Sequence, residues 1–246
     1  MPKRSILFKI IGLELLIILF YTVNGAYSSI MEPTNPVMQF IGLMPFALGI
    51  LIYLIVKKKW NVYFFDRRHA LTKQGLLLIL PLVLIIAVII IGNKGFNTSS
   101  IANLILMFIM QIFVVGFIEE SFFRGFMLRM LLSKGVKTAV WVTSILFGIT
   151  HALQLLGGQS IEDTIIQIVY ALLVGLMLAL LILNKLPIWI TILFHGLNNF
   201  SNFMGNVEGS MFTAYLIIAI MLVYTIYLWM RLRHADHVRQ DLTISS

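Results

Sequence analysis

Residues 101–132 read IANLILMFIMQIFVVGFIEESFFRGFMLRMLL, an apolar run that is interrupted by Glu119, Glu120 and Arg124. A helix needs about 20 apolar residues to cross a bilayer, and this run supplies them. An ionisable group inside a membrane span costs on the order of 2.5–3.5 kcal/mol on insertion scales. Two adjacent glutamates in such a span therefore indicate a functional site within the membrane.

Composition extends the membrane assignment to the whole chain. Hydrophobic residues make up 60% and charged residues 11%, against roughly 25% charge in soluble domains. Alternating strand patterns are absent, so we expect an all-α, polytopic integral membrane protein with about eight transmembrane helices. The chain forms one predicted membrane-embedded domain, 1–246, with a motif-bearing core at about 101–204. The predicted spans are 6–23, 37–56, 75–92, 101–122, 138–156, 164–184, 187–204 and 211–230.

The charges are distributed unevenly between alternate loops. Basic residues dominate the 57–74 loop, as Lys57, Lys58, Lys59, Arg67, Arg68 and Lys73. The intervening loops carry acidic residues, as Glu32, Glu162, Asp163 and Glu208. The positive-inside rule therefore predicts that both termini and the 57–74 loop are cytosolic. The net charge of +8 is a topology signal, so we expect the lipid bilayer as a partner and no nucleic acid.

The polar residues of the fourth span differ in their predicted partners. Glu120 and Arg124 are four residues apart, so they share a helix face and can form an ion pair. Glu119 points about 100° away from Glu120. The partner of Glu119 must therefore come from another helix or from water.

Two histidines lie in two other spans. His151 follows Phe147 by one turn, and His195 precedes Asn199 by one turn. Each histidine alone is most simply an interhelical hydrogen-bonding group, with Asn198 as an alternative structural partner of His195. Three polar clusters on three helices favour a shared site instead. A common depth in the membrane requires the fourth helix to continue towards Leu132.

A carboxylate with two histidines is suited to the activation of water. The carboxylate takes a proton, while a histidine or asparagine stabilises the charge that develops on the attacked carbonyl. The same atoms could instead bind zinc as a His₂Glu set. The spacing leaves both alternatives open. The chain has no His-Glu-x-x-His or Gly-x-Ser-x-Gly pattern, and the absence of cysteine excludes thiolate chemistry and disulfides.

Three ordered motifs between residues 119 and 199 resemble those of the CPBP family. This family comprises the CAAX-processing and bacteriocin-processing intramembrane proteases, also called Abi proteins. The motifs are Glu119-Glu120-x-x-x-Arg124, Phe147-x-x-x-His151 and His195-x-x-x-Asn199. The resemblance implies a polytopic endopeptidase whose site opens towards the cytosol and whose substrate is a membrane-associated peptide or protein.

The resemblance also implies roles for individual residues. Glu119 would activate the water with the assistance of His151, while His195 and Asn199 would hold the oxyanion. Glu120 and the other two motif residues, Arg124 and Phe147, would support the site. Family members are described as metalloproteases and as metal-independent glutamate proteases. The expected cofactor is therefore either none or one zinc ion bound by Glu119, His151 and His195.

Two other function classes compete with the protease. One is a non-catalytic bacteriocin-immunity or receptor-like membrane protein that keeps the polar site as structure. The other is a transporter whose glutamate and histidine groups relay protons, but the chain lacks an inverted repeat and paired broken helices. Short loops, the small size and the absence of cysteine suit a bacterial plasma-membrane protein.

Overall fold

The computed structural model describes residues 3–66 and 72–244, with side chains described at 6–66 and 72–234. Every regular element in these ranges is a helix, which confirms the predicted all-α class. Arg67 and Arg68, which we assign to a cytosolic loop, lie outside the described residues.

Eight helical segments correspond to the eight predicted spans. They are α1 (Lys3–Met31), α2 (Ile41–Lys57), α3 (Lys73–Gly92), α4 (Ile101–Lys134), α5 (Val136–Gly157), α6 (Ile161–Leu183), α7 (Ile188–Phe203) and α8 (Met211–Ile244). Six of them are long and apolar enough to cross a membrane. The exceptions are α7, with 16 residues, and α2, with 3 residues of 3-10 helix followed by 14 of α-helix.

Helix α4 continues well beyond its predicted end at residue 122. The helix reaches Lys134 because its charged residues are paired inside the bundle and do not mark a membrane boundary. It is π-helical at Gln111–Gly116 and again at Ser121–Met127. Between these segments lies one α-helical turn, Phe117–Glu120, which carries both glutamates. Single π-helical turns occur frequently at functional sites.

Helices α4 and α7 approach each other closely through two glycines. A Cβ atom on Gly196 would lie 2.7 Å from the Cα of Ile112 and 2.8 Å from the carbonyl oxygen of Gln111. A Cβ atom on Gly116 would lie 3.0 Å from the carbonyl oxygen of Ile192. Any larger residue would push these backbones apart. The glycine contact therefore brings His195, the neighbour of Gly196, up to the glutamate turn of α4.

Helix α6 forms the centre of the bundle. Its residues from Leu173 to Ile182 are all buried, and the helix packs against α5, α7 and α8. A helix that is apolar on all sides is typical of such a position. Gly175 permits close contact with α5, because a Cβ atom there would lie 3.0 Å from the Cα of Ser144.

Helix α7 is anchored at both ends by loops from elsewhere in the chain. At its first residue, the Ile188 amide donates to the carbonyl of Phe64, 3.1 Å away. Near its other end, the Asn93 side-chain amide donates to the carbonyl of Ser201 at 2.9 Å. The Asn97 amide also donates to the carbonyl of Met204 at 2.8 Å. These contacts fix the position of α7 along its axis.

The charge distribution predicts that single cysteines at Ser29 and Lys59 lie on opposite sides of the membrane. Both residues are exposed, at the end of α1 and directly after α2, and the wild-type chain has no cysteine. In intact cells, a membrane-impermeant maleimide should label Ser29→Cys and should label Lys59→Cys only after permeabilisation. Labelling of Lys59→Cys from outside would contradict the orientation.

Candidate active site

The structure brings Glu119, Glu120, Arg124 and His195 together within the bundle. All four side chains are buried. The first three lie on α4, on and directly after the turn between its π-helical segments, while His195 reaches them from α7. Buried charges of this kind must be paired or hydrogen-bonded, because the transfer of one ion from water into a protein interior costs on the order of several kcal/mol.

Glu120 connects the two helices through one carboxylate oxygen. Its Oε1 lies 3.0 Å from Nη1 of Arg124, which is the predicted ion pair. The same oxygen lies 2.9 Å from Nδ1 of His195. Because an ionised carboxylate only accepts hydrogen bonds, Nδ1 of His195 carries a proton and donates it. Glu120 therefore orients the imidazole of His195, a contact that the motif spacing does not indicate.

Glu119 finds its partner on another helix, as its position on α4 predicts. Its Oε2 lies 3.3 Å from Nε2 of His195. The imidazole thus bridges two carboxylates, with one nitrogen towards each. A proton on Nε2 would let His195 donate towards Glu119, whereas two unprotonated atoms would place their lone pairs face to face. With that proton on His195, two carboxylates balance the guanidinium of Arg124 and one imidazolium.

Phe147 provides an aromatic platform from α5 for the charged cluster. Its ring centroid lies 4.2 Å from Cζ of Arg124, within cation–π range. The ring is edge-on to those of His195 and Phe123, at centroid distances of 5.5 and 5.1 Å. The phenylalanine of the second motif therefore supports Arg124 and His195 at once.

His151 lies where α5 changes from α-helix, ending at Thr150, to 3-10 helix. Its Nδ1 is 2.8 Å from the carbonyl oxygen of Phe147. Because a carbonyl can only accept, Nδ1 carries the proton and Nε2 is left as an acceptor in the neutral ring. The side chain is partly exposed and lies within electrostatic range of Glu119 and His195.

The two adjacent asparagines of α7 have different environments. Asn198 is buried, and its side-chain oxygen accepts a hydrogen bond from the Tyr170 hydroxyl. Its carbonyl also accepts from the side chain of Asn202 at 2.9 Å. Asn199 is partly exposed, and its position one turn after His195 places it on the same side of α7. Asn198 is thus a structural residue, and Asn199 remains the candidate for the site.

Two residues near the site come from α1 and are not indicated by the three motifs. Glu14 is buried and accepts a hydrogen bond from the Thr150 hydroxyl at 2.8 Å, next to His151. The buried hydroxyl of Tyr21 lies within electrostatic range of Glu119. Only the spacing of α1 residues along one face could have drawn attention to them.

The donor atoms do not converge as a metal site. In the described part of the chain, no group of three or more histidine, aspartate, glutamate or cysteine side chains is arranged to hold a metal ion. Nδ1 of His151 contacts Phe147 and Nδ1 of His195 contacts Glu120, so Nε2 is the ring nitrogen that each histidine leaves for another ligand. Nε2 of His195 already faces Glu119. The arrangement of donor atoms in the described residues therefore supports no chemical step through a metal.

The fold is a helical membrane bundle, and the site contains buried glutamates paired with a histidine. A comparison of the sequence with known protein families agrees with both. Residues 101–201 match the family model for type II CAAX prenyl endopeptidases of the Rce1-like kind. The match covers less than half of the chain, and it confirms the predicted resemblance to the CPBP intramembrane proteases. A search of curated proteins gave no match.

The two neighbouring glutamates should respond differently to the same substitution. Glu120→Gln leaves Arg124 without its buried counter-charge, and breaking such a pair typically costs about 3–5 kcal/mol. Glu119→Gln leaves the Glu120–Arg124 pair intact and should change stability much less. Thermal unfolding of the purified proteins in detergent measures both effects. Equal destabilisation by the two substitutions would contradict the central role of Glu120.

Proposed function

We propose that this protein is an intramembrane endopeptidase that hydrolyses a peptide bond of a membrane-associated protein or peptide. The proposal rests on one observation. The His195 imidazole lies between two carboxylates, and one of them, Glu120, orients the ring. Glu120 orients the ring through Nδ1. Glu119, which faces Nε2 of the same ring, is the carboxylate that does not pair with Arg124. The match to the Rce1-like family model supports a protease of the CAAX type.

The proposed reaction begins with water activation by Glu119. The Glu119 carboxylate takes a proton from water as the water oxygen bonds to the carbonyl carbon of the substrate. Nε2 of His151, which is free to accept, helps to position this water. The electrons of the carbonyl double bond move to its oxygen, which becomes an oxyanion. This step requires an ionised Glu119 and a protonated His195, the charge-balanced state of the cluster.

The oxyanion is stabilised from α7. Nε2–H of His195 donates to the oxyanion, and the side-chain amide of Asn199 donates a second hydrogen bond. When the tetrahedral intermediate collapses, the C–N bond breaks and the leaving nitrogen takes the proton from Glu119. Glu119 is thereby returned to its ionised form, and His195 keeps its proton throughout. Glu120 and Arg124 hold the imidazole in place without exchanging a proton.

We expect Glu119→Gln and His195→Ala to abolish most proteolysis. Loss of a general base typically costs about 10²–10⁴-fold in rate, and loss of one oxyanion donor about 10²–10³-fold. The assay is cleavage of a set of lipid-anchored peptides, including a prenylated CAAX peptide, in proteoliposomes. Glu208→Gln is the matched control, because Glu208 is exposed in the loop after α7.

Two results of this assay would contradict the proposal. Cleavage at the wild-type rate by both variants would show that this site does not hydrolyse peptides. A folded wild-type protein that cleaves none of the peptides, while Glu119→Gln retains any biological protection that the wild type gives, would favour a non-catalytic immunity protein.

We also propose that Glu119 activates water without a metal ion. The neutral side-chain amide of Asn199, one turn after His195 on α7, supports this, because it fits an oxyanion-binding pair better than a closed metal shell. Activity should survive treatment with chelators, and active purified protein should contain well under one zinc ion per chain by elemental analysis. Stoichiometric zinc that is lost together with activity, and restored with it, would contradict this proposal.

A further inference from the structure

One face of α1, which lies outside the residues that match the Rce1-like family model, is buried against the bundle. Ile10, Glu14, Ile17 and Asn24 on this face are buried, at successive spacings of four, three and seven residues. Tyr21 belongs to the same face, because it follows Ile17 by four residues and precedes Asn24 by three. Three side chains on this face, those of Glu14, Tyr21 and Asn24, carry polar groups. Packing of α1 against the bundle through apolar contacts would not require any of them.

Contacts on either side of Tyr21 fix the register of α1. Asn24 donates to the carbonyl of Gln39 at 2.9 Å and accepts from the amide of Gly42 at 3.0 Å. In the other direction along α1, Glu14 is bound by Thr150 at 2.8 Å. Tyr21 lies between these two anchors and cannot shift along the helix axis without breaking them.

Neighbouring aromatic residues limit the rotation of α1 at this point. Phe20 stacks on Phe46 with ring centroids 4.3 Å apart, and Phe46 in turn packs edge-on against Phe122 of α4 at 4.9 Å. Phe122 follows Glu119 by three residues. The segment around Tyr21 is therefore tied to the part of α4 that carries the site.

The Tyr21 hydroxyl is a donor without a hydrogen-bond acceptor among the described groups, and the Glu119 carboxylate is an acceptor near it. The hydroxyl is buried and completes no hydrogen bond with any described group, and the same holds for Oε2 of Glu119. The hydroxyl lies within electrostatic range of Glu119. An unsatisfied buried polar group costs about 1–3 kcal/mol. Each of these two groups can satisfy the other.

We propose that Tyr21 is a positioning residue for Glu119, to whose carboxylate it donates its phenolic hydrogen. The carboxylate is then held from two sides, by α1 through Tyr21 and by α7 through His195. A carboxylate fixed in this way keeps one lone pair directed at the water that it deprotonates. The catalytic consequence rests on the proposed protease function, whereas the contact itself does not.

The contact can be tested without any activity measurement. A double-mutant cycle compares the melting temperatures of the wild type, Tyr21→Phe, Glu119→Gln and the double variant. The shift caused by Tyr21→Phe should differ between the wild-type and Glu119→Gln backgrounds. Tyr27→Phe is the matched control, because Tyr27 lies on α1 about 9 Å further along its axis, and its shift should be the same in both backgrounds. Equal shifts for Tyr21→Phe would overturn the contact.

The positioning role is tested by kinetics on folded protein. Tyr21→Phe should lower kcat about tenfold with little change in KM, which corresponds to ~1.4 kcal/mol in the barrier. A residue that only supports packing would lower the amount of folded enzyme and leave kcat per folded molecule unchanged. Coupling in the cycle together with an unchanged kcat would overturn the positioning role. A wild type without proteolysis would overturn the proposed function, while the cycle would still decide whether Tyr21 binds Glu119.

Discussion

The Oε1 atom of Glu120 contacts Arg124 on its own helix and His195 on α7, and the site depends on this shared oxygen. It binds Arg124 of its own helix at 3.0 Å and His195 of α7 at 2.9 Å. Inside a membrane bundle these groups are not hydrated by bulk water, so each charge must be stabilised by the other groups of the cluster. The pairing lets α4 run through the bundle with three charged residues. It also sets the orientation of the imidazole that Glu119 uses.

The backbone makes this shared contact possible. Gly196 lets α7 approach the π-helical segment of α4 to distances at which a Cβ atom would clash. His195 directly precedes Gly196 in the chain. The close packing of α7 on α4 therefore also brings the imidazole close to α4. Phe147 then covers the cluster from α5 by stacking on Arg124 at 4.2 Å. Packing and charge pairing therefore support one another at a single depth in the bundle.

Much of this architecture follows from the sequence, because long apolar runs predict membrane helices. The all-α class, the number of segments and the Glu120–Arg124 pair could all be predicted. The end of α4 could not, because a charged residue at a membrane boundary and one paired inside a bundle look the same in sequence. The π-helical segments of α4 could not be predicted either, because a run that is apolar on every face shows no change of periodicity in the sequence. Tyr21 is also invisible to motif analysis, because its importance depends on which helix packs beside Glu119.

The shortness of helix α7 has a consequence for the lipid around it. Helix α7 has 16 residues, or about 24 Å at 1.5 Å per residue, whereas the hydrocarbon core of a bilayer is about 30 Å thick. Loop contacts at both of its ends prevent it from being lengthened, and Trp189 and Phe203 face outward on it. A helix that is shorter than the hydrocarbon core is accommodated by thinning of the bilayer, by snorkelling of flanking residues or by oligomerisation. Thinning beside α7 would bring the lipid headgroups, and their water, closer to the midplane there than elsewhere around the protein.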